Sequence, residues 1–509
     1  MATFLLAFRI LSASEYFVIR AVDEQTGRGI PMVEFCTTSN VCHWTDSNGV
    51  IALDEPGYRN RRVYFRIFTY GYEAEKKGLD VKPGVSAIVK LRRTQIAERL
   101  YRVTGEGIFR DSILAGISVP PGEPLLNAEV TGLDTVMYAP YRGRIFWVFG
   151  DTNKLSGALG HFATTAATSN LPVDPETFID LNYFPRADGF TKPVAAAIPG
   201  EGLKWLHTLM TLRDSSGTER LIAHYSRVKT LNELLDTGLA VFNDDKREFT
   251  PLVSFGPKPK LTPHGRPVRA KMGGVEYLYF SWPRATPVVR VRADWNAVRD
   301  LTRYEALECG AGGCIWKNGG DPTTLRFHDA DTLETFDGRL TSMYWNDYRR
   351  RWIAIIQRRV DEVWLAECDT PTGPWAYARR IIEHHNYSFY WPGHIPYLDG
   401  REGRRIYIMG TYTQMFSKAP AKTPRYDYNQ LVYAVSLDDE RMFLPVAHYK
   451  VRAQTAPLRK AEIDARNLWS DVESVAYYDY EPDRRPKSGK RLPAPPGPVA
   501  FERNSEPVK

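Results

Sequence analysis

Long apolar runs are scarce in this chain. The N-terminal stretch MATFLLAFRILSASE is short and is broken by Arg9, which excludes a bilayer-spanning helix there. Residues 1–15 read instead as a damaged or truncated signal sequence. Cysteine is also scarce, with five in 509 residues and none at zinc-site spacing. Cys36 and Cys42 stand across a hairpin, and Cys309 and Cys314 flank the turn CGAGGC, so either pair can close a short disulfide loop in an oxidising compartment. Cys368 is left over as a small buried hydrophobe. Acidic excess is missing: 67 Lys and Arg outweigh 60 Asp and Glu. Much of the surplus sits in the tail, at Arg484, Arg485, Lys487, Lys490, Arg491, Arg503 and Lys509. Without a basic stripe on a helix or a nucleic-acid motif, DNA and RNA are excluded as expected partners. Standard catalytic signatures are absent as well. GAGG at 310–313 lacks the Lys-Ser/Thr of a phosphate loop, and there is no G-x-S-x-G elbow, HExxH or EF-hand loop. His384 and His385 are adjacent and so make a poor metal pair. No cofactor is expected, although the centre of a ring-shaped fold leaves room for a structural Ca2+.

Aromatic residues are abundant, at 12% with 12 Trp and 28 Tyr. Together with many Gly and Pro they favour β architecture, and they suit both strand packing and platforms under sugar rings. Residues 16–93 read as a small β-sandwich: YFVIRAV, PMVEFCT, VIALDE, VYFRIFTYGYE and SAIVKLRR are strands parted by turns such as TDSNG. Residues 94–104 read as a linker. From 105 to 481, strand pairs around polar turns recur, among them GRIFWVFGDT, LTSMYWNDYRRRWIAIIQRR and QLVYAVSLDDERMFLPVAHY. That recurrence predicts a β-propeller with room for five four-stranded blades, so the fold class is all-β, a five-bladed propeller behind a sandwich. A two-sheet sandwich is the competitor. Helix is expected only in ERLYRV, LNELLD and 295–308, and residues 482–509, rich in Pro and charge, are expected to be disordered.

Two acids stand out. Asp134 in TGLDTVM and Asp151 in VFGDTN lie at either end of a segment that reads strand, tight YRGR turn, strand. A hairpin of that length returns its ends to one place, so both carboxylates face the same cavity. Glycoside hydrolysis needs such a pair, one to protonate the leaving oxygen and one to attack or to activate water. LDT and GDT are equally good turn formers, so each Asp is also a candidate turn cap. Around them we place substrate-binding candidates. Arg110 and Asp111 precede the first acid, with an inter-blade ion pair as their alternative. Glu106 is a substitute acid. His161 in GALGHF and Lys192 in GFTKP follow the second. Tyr390, Trp391 and His394 in FYWPGHIPYLD suit a sugar subsite or a core cluster. Tyr412, Arg425, Asp427 and Tyr428, in GTYT and TPRYDYN, form a candidate rim, and Glu473 is a ring-closure residue.

The order D-x-x-TGRGIP, TDSNG, GY resembles transthyretin-like and carboxypeptidase-regulatory-like sandwich modules over about eighty residues. From GEGIFRDS through GLDTVM to FGDTN the chain resembles the five-bladed endo-D-arabinanase family and its bacterial relatives, over roughly residues 103–450. TPRYDYN and FYWPGHIPYLD resemble segments of a propeller group in planctomycete-type bacteria. The arabinanase resemblance implies a catalytic Asp at 134 and a second at 151. It also implies a polysaccharide substrate of furanose-containing type, an extracytoplasmic location and a monomer or weak oligomer. The long inserts and the sandwich depart from that family. Two other readings stand beside hydrolysis. One is a polysaccharide lyase using His161, His394 or Tyr412 as base with Arg110 and Lys192 on a uronate. The other is a non-catalytic glycan-binding protein.

Overall fold

The computed structural model describes residues 15–120, 126–157, 163–231, 233–281, 287–310, 313–322, 326–486, 491–493 and 505–508. The chain divides into two compact units. The first comprises the described part of Met1–Thr94 with Arg99–Arg102 and Gly107–Leu125, and the second Gln95–Glu98, Val103–Glu106 and Leu126–Lys509.

In the first unit Phe17–Asp23 pairs antiparallel with Val50–Leu53 and parallel with Ser86–Leu91. A second sheet runs Cys42–Trp44, Glu34–Thr37, Arg61–Phe68, Glu75–Val81. Alternation along these strands sends Ile19, Ala21, Phe35, Ile51, Phe65, Ile67 and Val89 into one common core. Cys36 and Cys42 face each other across a hairpin and are bonded, as are Cys309 and Cys314 in the second unit, while Cys368 is buried and free. Arg99 is fully buried in the first unit, where its guanidinium donates to the Pro31 carbonyl at 3.0 Å and to the Thr69 hydroxyl at 2.7 Å. The helix Arg110–Leu114 docks on the same unit through Asp46, whose carboxylate takes the Ser112 N–H at 2.7 Å.

Among the described residues the second unit holds five larger sheets, mostly antiparallel. Their antiparallel runs of consecutive strands begin, among the described residues, at Met137–Tyr141, Leu203–Arg213, Val268–Met272, Arg339–Asn346 and Ser388–His394, and in the fourth sheet Arg326–Asp329 adds to Tyr377–Glu383 in parallel. A smaller sheet built on Val446–Val451 and Val472–Asp479 follows. Successive sheets share cores. Phe146 and Val148 pack with Leu209, Ala223 and Phe242. Met210, Ile222 and Leu239 pack with Leu278, Phe280 and Val291. Val268, Tyr279 and Leu307 pack with Met343, Ala354 and Trp364. The last of the five returns to the first: the Tyr138 hydroxyl donates to the His394 carbonyl, and the Gln430 amide to the Leu133 carbonyl at 3.1 Å. Arg266 is buried and donates to the carbonyls of Val136 (2.6 Å), Thr341 (2.7 Å), Trp391 (3.1 Å) and Pro392 (3.3 Å), so segments of three sheets are tied to one guanidinium.

Helix expectations are corrected. ERLYR is the strand Glu98–Arg102, buried throughout. LNELLD runs into the strand Glu233–Asn243, whose paired length overrides local helix propensity. Within 295–308 there is a short 3-10 turn, Leu301–Arg303, and the strand Glu305–Gly310. In the tail expected to be disordered, Ser505–Pro507 pairs with Val268–Met272, while 487–490 and 494–504 lie outside the described residues. Among the described residues no helix is long and apolar enough to cross a membrane.

Candidate active site

The strand Arg144–Lys154 is long enough to pair with two partners. Its first half pairs with Met137–Tyr141 through the Arg142–Gly143 turn, and its far end with Val130–Leu133. The chain between those partners breaks step at Asp134 and Thr135, the latter at φ 44°. The same place on the long strand carries a register shift between Phe149 and Asp151, and such bulges re-aim side chains. Asp134 and Asp151 therefore meet, as the hairpin reading requires. The Asp134 carboxylate accepts the Asp151 backbone N–H at 3.0 Å, and the Asp134 N–H donates to the Asp151 carbonyl at 3.2 Å. Gly150 is what permits it: a Cβ there would stand 2.1 Å from Asp134 Oδ1.

Trp205, Tyr428 and Tyr390 approach the acid pair from other sheets. The Trp205 indole N–H donates to Asp151 Oδ1 at 2.9 Å. Tyr428, at φ 60°, sets its hydroxyl 3.2 Å from the Asp151 carbonyl and in hydrogen-bond contact with the Asp134 carboxylate. Its backbone carbonyl crowds Gly132, where a Cβ would approach to 2.5 Å. Tyr390 bonds Thr135 and feels both carboxylates and Arg339. The Arg339 guanidinium lies 5.4 Å from the Trp391 ring centre, the His264 ring 5.9 Å from Trp391, and the His207 ring 6.0 Å from His264.

Electrostatics separate the two acids. Burial, then the neighbouring Asp151 charge, pushes the Asp134 carboxyl up to about 7 against the opposing hydrogen bonds of Tyr428, the Asp151 N–H and Thr135. Asp151 is also raised by burial, with the Trp205 hydrogen bond holding it down. Both are half-buried and keep some exposure to solvent. Burial lowers His207 to about 4 and His264 to about 3, so both rings are neutral at physiological pH. Among the described residues, the one set of three ligand-type side chains close enough to share a metal is Glu34, Cys36 and Cys42, and there the two sulfurs are bonded to each other.

Of the residues singled out in the sequence, Asp134, Asp151, Tyr390 and Tyr428 are brought together. The others have different surroundings. Asp111 accepts the Ala52 N–H at 3.1 Å within the first unit, and Arg110 pairs with Asp111. Lys192 pairs with Glu248 at 2.9 Å. His394 is fully buried, with Nε2 against Asp399 at 2.7 Å. Tyr412 is fully buried, stacked on Tyr387 at 4.1 Å, so both residues serve the core rather than a rim. Asp427 fixes its own loop by accepting from the Tyr387 hydroxyl at 2.7 Å and the Gln414 N–H at 2.6 Å. Arg425 is exposed at φ 66°. Glu473 pairs with Lys450 at 3.0 Å, and His161 lies outside the described residues. Trp205, Arg339, His207 and His264 escaped the sequence reading. Nothing in GLKWLHTLM distinguishes a pocket Trp from a core one.

No protein-family model matches the chain, and no curated protein sequence matches it. Solved structures similar to it include a GH43_1 enzyme from Xanthomonas citri complexed with xylose. That match has 9% identity and TM-score 0.35, and covers 61% of this chain and 90% of that one. A putative exo-beta-1,3-galactanase from Bifidobacterium bifidum s17 matches at 11% identity and TM-score 0.36, covering 67% and 94%. An alpha-L-arabinofuranosidase from Clostridium thermocellum matches at 12% identity and TM-score 0.31, covering 65% and 94%. These superpositions are too loose to carry any activity across.

Proposed function

We propose that this protein is a glycoside hydrolase that cleaves a polysaccharide with Asp134 as general acid and Asp151 as base or nucleophile. One observation carries the reading: two aspartates share a half-buried pocket whose surroundings treat them differently. Assigning acid and base to neighbouring carboxyls depends on environments that separate their pKa values. Asp134, raised to about 7, holds a proton to give to the glycosidic oxygen as the bond breaks. Asp151, whose carboxylate accepts the Trp205 N–H, takes a proton from water or attacks the anomeric carbon. Trp205, Tyr390 and Tyr428 supply ring faces for a sugar.

In this reading the five sheets are blades of a propeller, with Arg266 at its axis. The first unit is an accessory sandwich, and the substrate is an arabinan-like, furanose-containing glycan. The two disulfides support an extracytoplasmic location. The lyase alternative is weakened because His394 and Tyr412 are sealed in the core and Lys192 is ion-paired. The test is a reducing-end screen over plant, algal and bacterial glycans. Release of reducing ends by the parent and not by Asp134→Asn or Asp151→Asn supports hydrolysis. An unsaturated, ultraviolet-absorbing product, or binding without cleavage across the panel, rejects it.

A further inference from the structure

A second concave surface lies on the larger unit, between the sheet that begins at Met137–Tyr141 and the one that begins at Leu203–Arg213. Two hairpin tips frame it. One is the Arg142–Gly143 turn, with φ of 49° and 73°, and the other is the 245–247 turn, with Arg247 at φ 51°. The groove has a volume of about 460 Å3. Its floor is aromatic: Phe146 and Phe242 have ring centres 4.7 Å apart, and Phe184 stacks against Phe242 at 6.2 Å. Its rim is cationic, with Arg142, Arg144 and Arg247 against a single Asp244, a local balance of three positive charges to one negative. Asp244 is already engaged by Arg142 at 3.0 Å and by the Tyr141 hydroxyl at 2.9 Å. Arg144 and Arg247 are exposed and have no carboxylate partner among the described residues, and Arg247 stands over the Phe184 ring at 5.5 Å. None of these residues is among the partners of Asp134 or Asp151.

We infer that this groove is a binding site for a carboxylate-bearing sugar, a uronate unit of an acidic glycan. A sugar ring offers an apolar C–H face, which the phenylalanine floor accepts. A uronate adds a planar anion at the ring's edge, and a guanidinium fork matches that shape with two parallel hydrogen bonds. The volume falls within the range of small-molecule sites. Two exposed arginines beside aromatic rings are poorly explained by folding alone, since neither is neutralised by a carboxylate among the described residues. The site stands apart from the acid pair, so it anchors a chain rather than cutting it, and it does not depend on the hydrolase reading.

The test uses full-length protein carrying Asp151→Asn, so that no turnover intervenes. Calorimetric titration with trigalacturonate, with its carboxyl-reduced neutral counterpart, and with a sulfated oligosaccharide of similar length separates the possibilities. Binding of trigalacturonate is expected to weaken at least tenfold in Arg144→Gln/Arg247→Gln, to weaken in Phe184→Ala and to fall with rising salt. The neutral counterpart is expected to bind at least tenfold less tightly. Both arginines are exposed, so the double variant is expected to keep the parent's circular dichroism. Unchanged affinity in the double variant, equal affinity for the neutral sugar, tighter binding of the sulfated one, or no binding at all would each overturn the assignment.

Discussion

Asp134 Oδ1 accepts the backbone N–H of Asp151 at 3.0 Å, so one acid of the pocket is positioned by the main chain of the other. An amide at 134 can still accept that bond, whereas it cannot release a proton as an acid does. Asp134→Asn and Asp151→Asn are each expected to lower kcat by about 10²–10⁴-fold, with circular dichroism unchanged. Retained turnover in both variants would remove the two-carboxylate reading.

The pH profile of kcat/KM is expected to be bell-shaped, with its alkaline limb near pH 7, where Asp134 loses its proton. The Tyr428 hydroxyl stabilises the Asp134 anion, so Tyr428→Phe moves that limb to higher pH. Trp205→Phe takes a hydrogen bond from the Asp151 anion and moves the acid limb upward. Limbs that stay in place in both variants would contradict these roles.

Stability carries the same signature with a definite sign. The Asp134 carboxyl titrates higher in the folded protein than its ordinary 3.8. Between about pH 4 and 7 the folded state therefore holds more protons than the unfolded one, and its stability falls as pH rises through that window. The slope from one group is at most ~1.4 kcal/mol per pH unit. Asp46, raised to about 6 by burial in the first unit, adds to it. Asp134→Asn is expected to flatten the part of the slope due to residue 134, read from urea midpoints at pH 4.5 and 7.5. An unchanged difference between the two midpoints would contradict the raised carboxyl.

Gly150 has no room for a methyl group, because a Cβ would meet Asp134 Oδ1 at 2.1 Å. Gly150→Ala is expected to cost about 1–3 kcal/mol, as overpacking does, and to displace the Asp134 carboxylate. Activity should then fall further than the loss of stability explains. Parent-like kcat would show that this contact is not needed.

Arg266→Met should destabilise the larger unit by at least about 3 kcal/mol, because charged hydrogen bonds are each worth roughly 1.5–3 kcal/mol and their carbonyl partners are left unpaired. Thermal melting reads this directly, and a loss under 1 kcal/mol (roughly the worth of one ordinary hydrogen bond) would contradict it.

The acid pair was legible because Asp134 and Asp151 lie at the two ends of one hairpin, whose YRGR turn sets the return. Trp205 was not legible, since it reaches Asp151 from another sheet and no local pattern separates it from core residues. His394 and Tyr412 show the converse. Their polar, aromatic surroundings in the sequence resemble a cleft, yet both are buried in the core, His394 Nε2 against Asp399 and the Tyr412 hydroxyl against Thr423. Likewise, the helix Arg110–Leu114 belongs with the first unit because of Asp46, sixty-six positions before Ser112.

Arg266 has carbonyl dipoles rather than a carboxylate for its ligands. Added salt has no ion pair to screen at this hub. Peeling one sheet away would strand the cation in an apolar interior, so the larger unit should come apart in a single all-or-none step instead of fraying sheet by sheet.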